Sequence, residues 1–244
     1  MQQSILFLIV VFLSNIIQSI TGFAGTVLAM PFSVMLVGYN GARAILNALG
    51  LAASVGVDAL EFRHINFKEF AKMTGIMIPG IIAGHFIEPY LESNQQLLYK
   101  LLGSVVVAFA LFNLYKFIRK QKLKKPNLPV SILIIALAGL VHGMFVCGGP
   151  LLIVYAAEEI QEKEEFRATV SAVWIVLNGI MLVRDINAGS FKNEQTLSLM
   201  WISLAVLVLA LFIGNLIEHK MNKRAFMLIS YILMIISGVS LLVK

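Results

Sequence analysis

Apolar residues run along almost the whole chain, at 4–38, 42–60, 70–91, 97–118, 130–157, 168–183, 197–217 and 225–243, with short polar stretches between them. Most of these runs have the length of one membrane-crossing helix, because a hydrocarbon core of about 30 Å needs about 20 helical residues. Residues 4–38 and 130–157 do not: both are too long for one span and too short for two. Each of the two carries a glycine-rich interruption. The first reads Thr21, Gly22, Phe23, Ala24, Gly25, followed by Pro31; the second reads His142, Gly143, Met144, Phe145, Val146, Cys147, Gly148, Gly149, Pro150. A regular helix does not continue through either. Irregular backbone at membrane depth is tolerated only where protein or a water-filled cavity surrounds it, and paired broken helices mark binding sites in secondary transporters. The pattern predicts a pair of short helices meeting at each break.

The most polar interior stretch, Lys116 to Pro129, carries Lys116, Arg119, Lys120, Lys122, Lys124 and Lys125 and divides the chain nearly in half. Three patterns recur across it in the same order. After the glycine break with its following proline comes a polar turn, Arg63-His64-Ile65-Asn66 and then Arg184-Asp185-Ile186-Asn187, 121 residues apart. A helix end follows, Gly84-His85-Phe86-Ile87-Glu88 and then Gly214-Asn215-Leu216-Ile217-Glu218, 130 residues apart. The difference between the offsets falls in the loop around Ala188 to Gln195. The expected architecture is an all-α polytopic membrane protein of two homologous halves, 1–119 and 130–244, joined by a basic cytoplasmic linker at 120–129. Each half would hold a broken-helix hairpin plus three membrane-spanning helices. Loop charge bears on whether the broken segments are hairpins or single kinked crossings, since cytoplasmic loops collect Lys and Arg. As hairpins they gather Arg63, Lys68, Lys72, the six linker cations, Lys163, Arg167, Lys220, Lys223 and Arg224 on one face, more than single crossings would. Hairpins also make the halves inverted repeats, a recurrent transporter plan.

Composition supports the membrane reading: 59% of residues are hydrophobic and only 13% charged, where soluble domains carry about 25%. The formal net charge of +6 lies in short loops, which explains it by membrane orientation and not by nucleic-acid binding. The single cysteine, Cys147, excludes an intramolecular disulfide and a cysteine-only metal site. Met1 to Ser4 lacks the positive charge that opens a signal peptide, so Met1 is the expected start of the mature chain.

The GFAG segment running to Pro31 and Phe32, and the later series Gly139, Gly143, Gly148, Gly149, Pro150, Leu151, Leu152, resemble the two signature segments of the TauE/SafE sulfite-exporter family, also called four-toluene-sulfonate uptake permeases. The resemblance covers essentially the full chain. It implies transport of sulfite, sulfonates or related small organic anions across the cell (plasma or inner) membrane. Ala24 and Thr26 depart from the richer Gly-Gly version of the first segment, a difference that bears on the substrate more than on the fold.

A compact anion entering the membrane loses water, and helix N-termini replace those hydrogen bonds with unpaired N–H groups and the macrodipole's positive end. Gly25 and Thr26 would open the returning helix of the first half, and Gly148, Gly149 and Pro150 that of the second, with Thr21, Gly22, Phe23, Gly143 and Cys147 beside them. The expectation is that the two ends meet as one cradle near the midplane. The alternative for these glycines is tight helix packing. Arg43 and Arg167 follow the two breaks and are candidates for anion attraction or for anchoring at the interface. His142 is a candidate to bond substrate or relay a proton, and equally to bond a neighbouring carbonyl, while Cys147 reads foremost as a small packed apolar residue. Asn47 and Asn178 are the better site candidates among the apolar-helix amides, ahead of Gln18, Asn113 and Asn215, although helix–helix hydrogen bonding is the default reading of all five. Asp58, His85, Glu88 and Asp185 are candidates to carry coupling protons, but all lie close enough to predicted helix ends that solvation is expected. The acidic run from Glu158 to Glu165 reads as a solvated loop or helix end.

The leading function is a secondary transporter for small anions. No cofactor or metal is expected, and no phosphate-binding GxxxxGK[ST] loop occurs. Membrane lipid, a coupling ion (H+ or Na+) and a second copy of the chain are the further candidate partners. A non-transporting assembly or anchoring protein is the alternative. An intramembrane enzyme such as an oxidoreductase ranks lower, because it requires a convergent catalytic set that one cysteine and scattered acids do not supply.

Overall fold

Ten α-helices and one 3-10 turn account for the regular structure of the described residues, which in this computed structural model are 2–21, 25–119, 127–218 and 223–243. Five helices precede the basic linker: α1 (Gln2–Thr21), α2 (Gly25–Val37), α3 (Tyr39–Glu61), α4 (Phe67–Ser93) and α5 (Gln95–Arg119), with the 3-10 turn Phe62–His64 between α3 and α4. Five follow it: α6 (Leu128–Phe145), α7 (Gly149–Glu159), α8 (Lys163–Asn187), α9 (Glu194–Glu218) and α10 (Lys223–Leu242). Linker residues 120–126 lie outside the described residues. Asn127 begins α6 by accepting a hydrogen bond from the Val130 N–H, the usual role of an asparagine at a helix start.

Seven of the helices are long and apolar enough to cross a membrane, among them α1 and α6. The arms of each broken segment are therefore unequal, where the sequence predicts a pair of short helices. The first arm, of 20 residues in α1 and 18 in α6, is full length. The second is short: the 11 residues of α7 extend about 16 Å at 1.5 Å per residue, roughly half the hydrocarbon core.

The described chain packs as two units, each drawing on both sequence halves: residues 1–42, 88–122 and 205–244, and residues 43–87 and 123–204. In the first unit α5 and α10 meet at Gly103 and Gly238, where a Cβ on Gly103 would fall 2.7 Å from the Gly238 carbonyl. Gly214 of α9 lies against Ile16 and Ser19 of α1 in the same unit. The second unit has a core of Met73, Met77 and Ile81 from α4, Ile135 and Ala138 from α6, Leu152 and Tyr155 from α7, and Val173 and Leu177 from α8. Gly80 and Gly84 of α4 face Gly139 and Gly143 of α6 across a parallel contact close enough that a Cβ on Gly80 would fall 2.5 Å from the Ala136 carbonyl. Small residues spaced four apart permit this approach, and dispersion between the backbones then holds the helices together.

Also in the second unit, α3 and α8 run antiparallel. Their contacts pair Arg43 with Asp185, Asn47 with Asn178 and Glu61 with Arg167 in order. Asn66, just beyond α3, donates from its side chain to Glu165 and from its backbone N–H to the Thr169 hydroxyl, so the end of α3 and the start of α8 share one end of the unit.

Candidate functional site

The second break is built by a left-handed residue. Val146 ends α6 at φ 56°, with its N–H donating to the His142 carbonyl at 2.8 Å. A β-branched residue avoids this conformation, and burial of its side chain in the second unit's core holds it there. The chain then passes buried Cys147 to Gly148, which precedes α7 and has no side chain to cap it. Gly149 and Pro150 open the helix, and proline fits where its missing N–H is not needed. A Cβ on Gly148 would collide with the Ala138 carbonyl and sit 2.7 Å from His142 Cβ, so the start of α7 folds back against α6.

At the first break the glycine opening the short helix likewise folds back against the helix before it. A Cβ on Gly25 would collide with the Gln18 side chain and sit 2.9 Å from the Ser14 carbonyl. Adding 124 to Ser14 and Gln18 gives Ala138 and His142, the two residues that Gly148 meets. Thr21 is the last residue of α1 and Thr26 lies in the first turn of α2. Gly22, Phe23 and Ala24 lie outside the described residues. Gly143 is accounted for by helix packing, since a Cβ there would fall 2.7 Å from the Ile81 carbonyl of α4.

Three of the candidates chosen from sequence come together in a buried polar layer within the second unit. Asn178 of α8 is its hub: its side-chain oxygen is 2.8 Å from His142 Nε2 of α6, and its backbone carbonyl accepts from Asn47 Nδ2 of α3 at 3.1 Å. Gly50 of α3 makes room for the Asn178 amide, which lies 3.1 Å from where a Cβ would be. The His142 ring also stacks on Trp174, centroids 4.8 Å apart. Because the Asn178 oxygen only accepts, His142 Nε2 carries the proton and Nδ1 presents a lone pair. Among the described residues neither His142 Nδ1 nor the Asn47 side-chain oxygen has a hydrogen-bond partner, although both residues are buried. Such orphans cost about 1–3 kcal/mol each, and these two belong to residues that both bond Asn178.

Ion pairs lie at both ends of the α3–α8 contact. Arg43 and Asp185 pair at 2.7 Å and are 2% and 0% exposed; Arg184 also reaches Asp185, at 3.6 Å. At the far end Arg167 and Glu61 pair at 3.5 Å and are 48% and 20% exposed. Both arginines, candidates for anion attraction from sequence, thus have carboxylate partners. Asp185, expected near water at a helix end, is fully buried.

A further set was missed from sequence. Tyr155 of the short helix α7 donates to Glu69 and accepts from Lys72, each at 2.5 Å, pinning α7 to the start of α4. The signal was present in a phenol on the polar end of a half-length helix and an acid three residues before a lysine, but nothing in the sequence says that these meet.

The family model for the sulfite exporter TauE/SafE matches residues 6–241, and with it both breaks, the polar layer and both ion pairs. Comparison with curated proteins and with solved structures gave no match. Seven spanning-length helices and this full-length match make the chain a multi-pass membrane protein, one that belongs to the sulfite exporter TauE/SafE family.

Proposed function

We propose that the chain is a secondary transporter of the cell membrane that moves small sulfur-containing or organic anions, such as sulfite or sulfonates, by alternating access. One observation carries this reading beyond family membership: the buried layer of Asn47, His142 and Asn178, with two orphan polar atoms, lies directly beside the opening turn of α7. The first-turn N–H groups of α7 would bind the anion's oxygens. Gly25 and Thr26 open the corresponding short helix of the other unit, and we assign their backbone the same role.

The coupling ion in this reading is a proton. With Nε2 committed to Asn178, His142 Nδ1 is a bare acceptor that repels an anion; once protonated it becomes a donor and a positive charge beside it. Anion and proton therefore bind together.

We also infer that the two halves are inverted repeats. The shared end formed by Asn66, Glu165 and Thr169 supports hairpins, because single crossings would put the loop after α3 and the start of α8 on opposite faces. The common offset of 124 supports duplication: it relates Arg43 to Arg167, Glu61 to Asp185, and the α1 residues flanking Gly25 to the α6 residues flanking Gly148. So does the fourth helix of each half, where Gly84 packs on Leu140 and Gly143 while Gly214 packs on Ile16 and Ser19, again 124 apart.

Tracer flux in vesicles reconstituted with the purified chain tests the function. Sulfite or sulfonate uptake driven by an imposed anion or pH gradient is the expected result. Vesicles no more permeable than empty ones across sulfite, sulfonates, carboxylates and sulfate would reject it.

A further inference from the structure

The two ion pairs of α3 and α8 have the same chemistry but not the same condition. Eighteen residues of helix separate Arg43 from Glu61, and the same number separate Arg167 from Asp185, about 27 Å in each case. That is close to the thickness of the hydrocarbon core, so one pair stands at each edge of it. Asn47 lies one turn inside Arg43, and Asn178 two turns inside Asp185, which sets the polar layer between the pairs. If α3 and α8 packed symmetrically, the pairs would match. Instead the Arg43–Asp185 pair is short and dry while the Arg167–Glu61 pair is long and wet.

Resting on the alternating-access reading above, we propose that these pairs are the two gates of the polar layer, Arg43–Asp185 shut and Arg167–Glu61 loosened in this structure, and that turnover exchanges their conditions. A contact between two equivalent helices that is tight at one end and loose at the other has an equivalent arrangement with the ends reversed. Loop charge puts the Arg167 end in the cytoplasm, since Arg63, Lys68 and Lys72 lie with it. The structure is then the inward-facing one. A fully buried ion pair is also a poor choice for stability alone, because desolvation offsets most of its attraction. Its use as a switch explains its presence: it holds when dry and separates once water reaches it.

The test is the accessibility of the layer, read without reference to transport. In a Cys147→Ser background, Asn47→Cys reports through its rate of modification by a membrane-impermeant thiol reagent added from the extracellular side. Removing both partners of the shut gate, R43A with D185A, leaves neither of the two fully buried charges alone, only the partly exposed Arg184 losing its longer contact, and shifts the population toward the outward-open state. It should speed modification at least tenfold. E61A with R167A weakens the gate required by that outward state and should give no acceleration. R43K, which keeps the charge on a different donor, provides a gentler opening should the neutral double variant not fold, and should accelerate modification to a lesser degree. Unchanged rates in R43A/D185A or in R43K, in protein that still melts cooperatively, would overturn the proposal, as would equal acceleration by both double variants. Absent anion flux with the labelling contrast intact would reject the transport reading and leave the gates standing. Flux with flat labelling would reject the gates alone.

Discussion

His142 separates hydrogen bonding from protonation. Gln at this position can still donate to Asn178 but cannot take up a proton, so H142Q should keep residual flux that no longer responds to an imposed pH gradient, while H142A should lose flux outright. Flux assays at several pH gradients check this, and a gradient response surviving in H142Q would remove His142 as the proton carrier. Arg43 makes the complementary point about charge. Removing one partner of a buried pair strands the other, at a cost of about 3–5 kcal/mol, whereas removing both strands neither and costs only the longer contact of the partly exposed Arg184. Thermal unfolding of the purified protein should therefore show R43A melting well below R43A/D185A. The residue types were legible in the sequence: Asn47, Asn178 and His142 stood out as polar groups in apolar helices. Their meeting was not legible, because it depends on α3, α6 and α8 coming together around Asn178.

At the scale of elements, glycines do two different jobs. Those at Gly80, Gly84, Gly139 and Gly143 let α4 and α6 approach backbone to backbone, and Gly25 and Gly148 let the short arms fold back. Valine at Gly143 would press on the Ile81 carbonyl, and overpacking of this kind costs about 1–3 kcal/mol. G143V should therefore lower the melting temperature. Tyr155 tests how α7 is held. Y155F leaves the buried Glu69 carboxylate without its phenol donor at a cost of about 1–3 kcal/mol, and hydrogen exchange in α7 should quicken more than in α5. The sequence located both breaks through their glycines, although α6 continues through His142 and Gly143 to Phe145 before the chain leaves the helix. The pattern divided them into two short arms, and the structure makes the first arm full length, because Leu-, Ile- and Val-rich α1 and α6 keep their helical hydrogen bonds up to the glycines.

For the molecule as a whole, the proposed hairpin topology would put the loop after α3 in the cytoplasm and the loop after α8 outside. Single cysteines at Arg63 and Ser190 should then label from the inner and outer faces respectively, and Arg63 and Ser190 labelling from the same face would reject inverted halves. Membrane insertion, helix number, the two breaks and the family were determined by sequence alone, since hydrophobic length and backbone-breaking residues are local properties that a bilayer reads directly. On the sequence side the proposed repeat rests on matched patterns in matched order, with an offset of 121 at the polar turn; the offset of 124 came only from paired contacts. Tertiary structure alone decided which arginine meets which acid, which of these pairs is dry, and that the packing units exchange segments between the sequence halves. These depend on contacts between residues more than a hundred positions apart, and an apolar helix surface with few polar groups carries little information about which neighbour it will face.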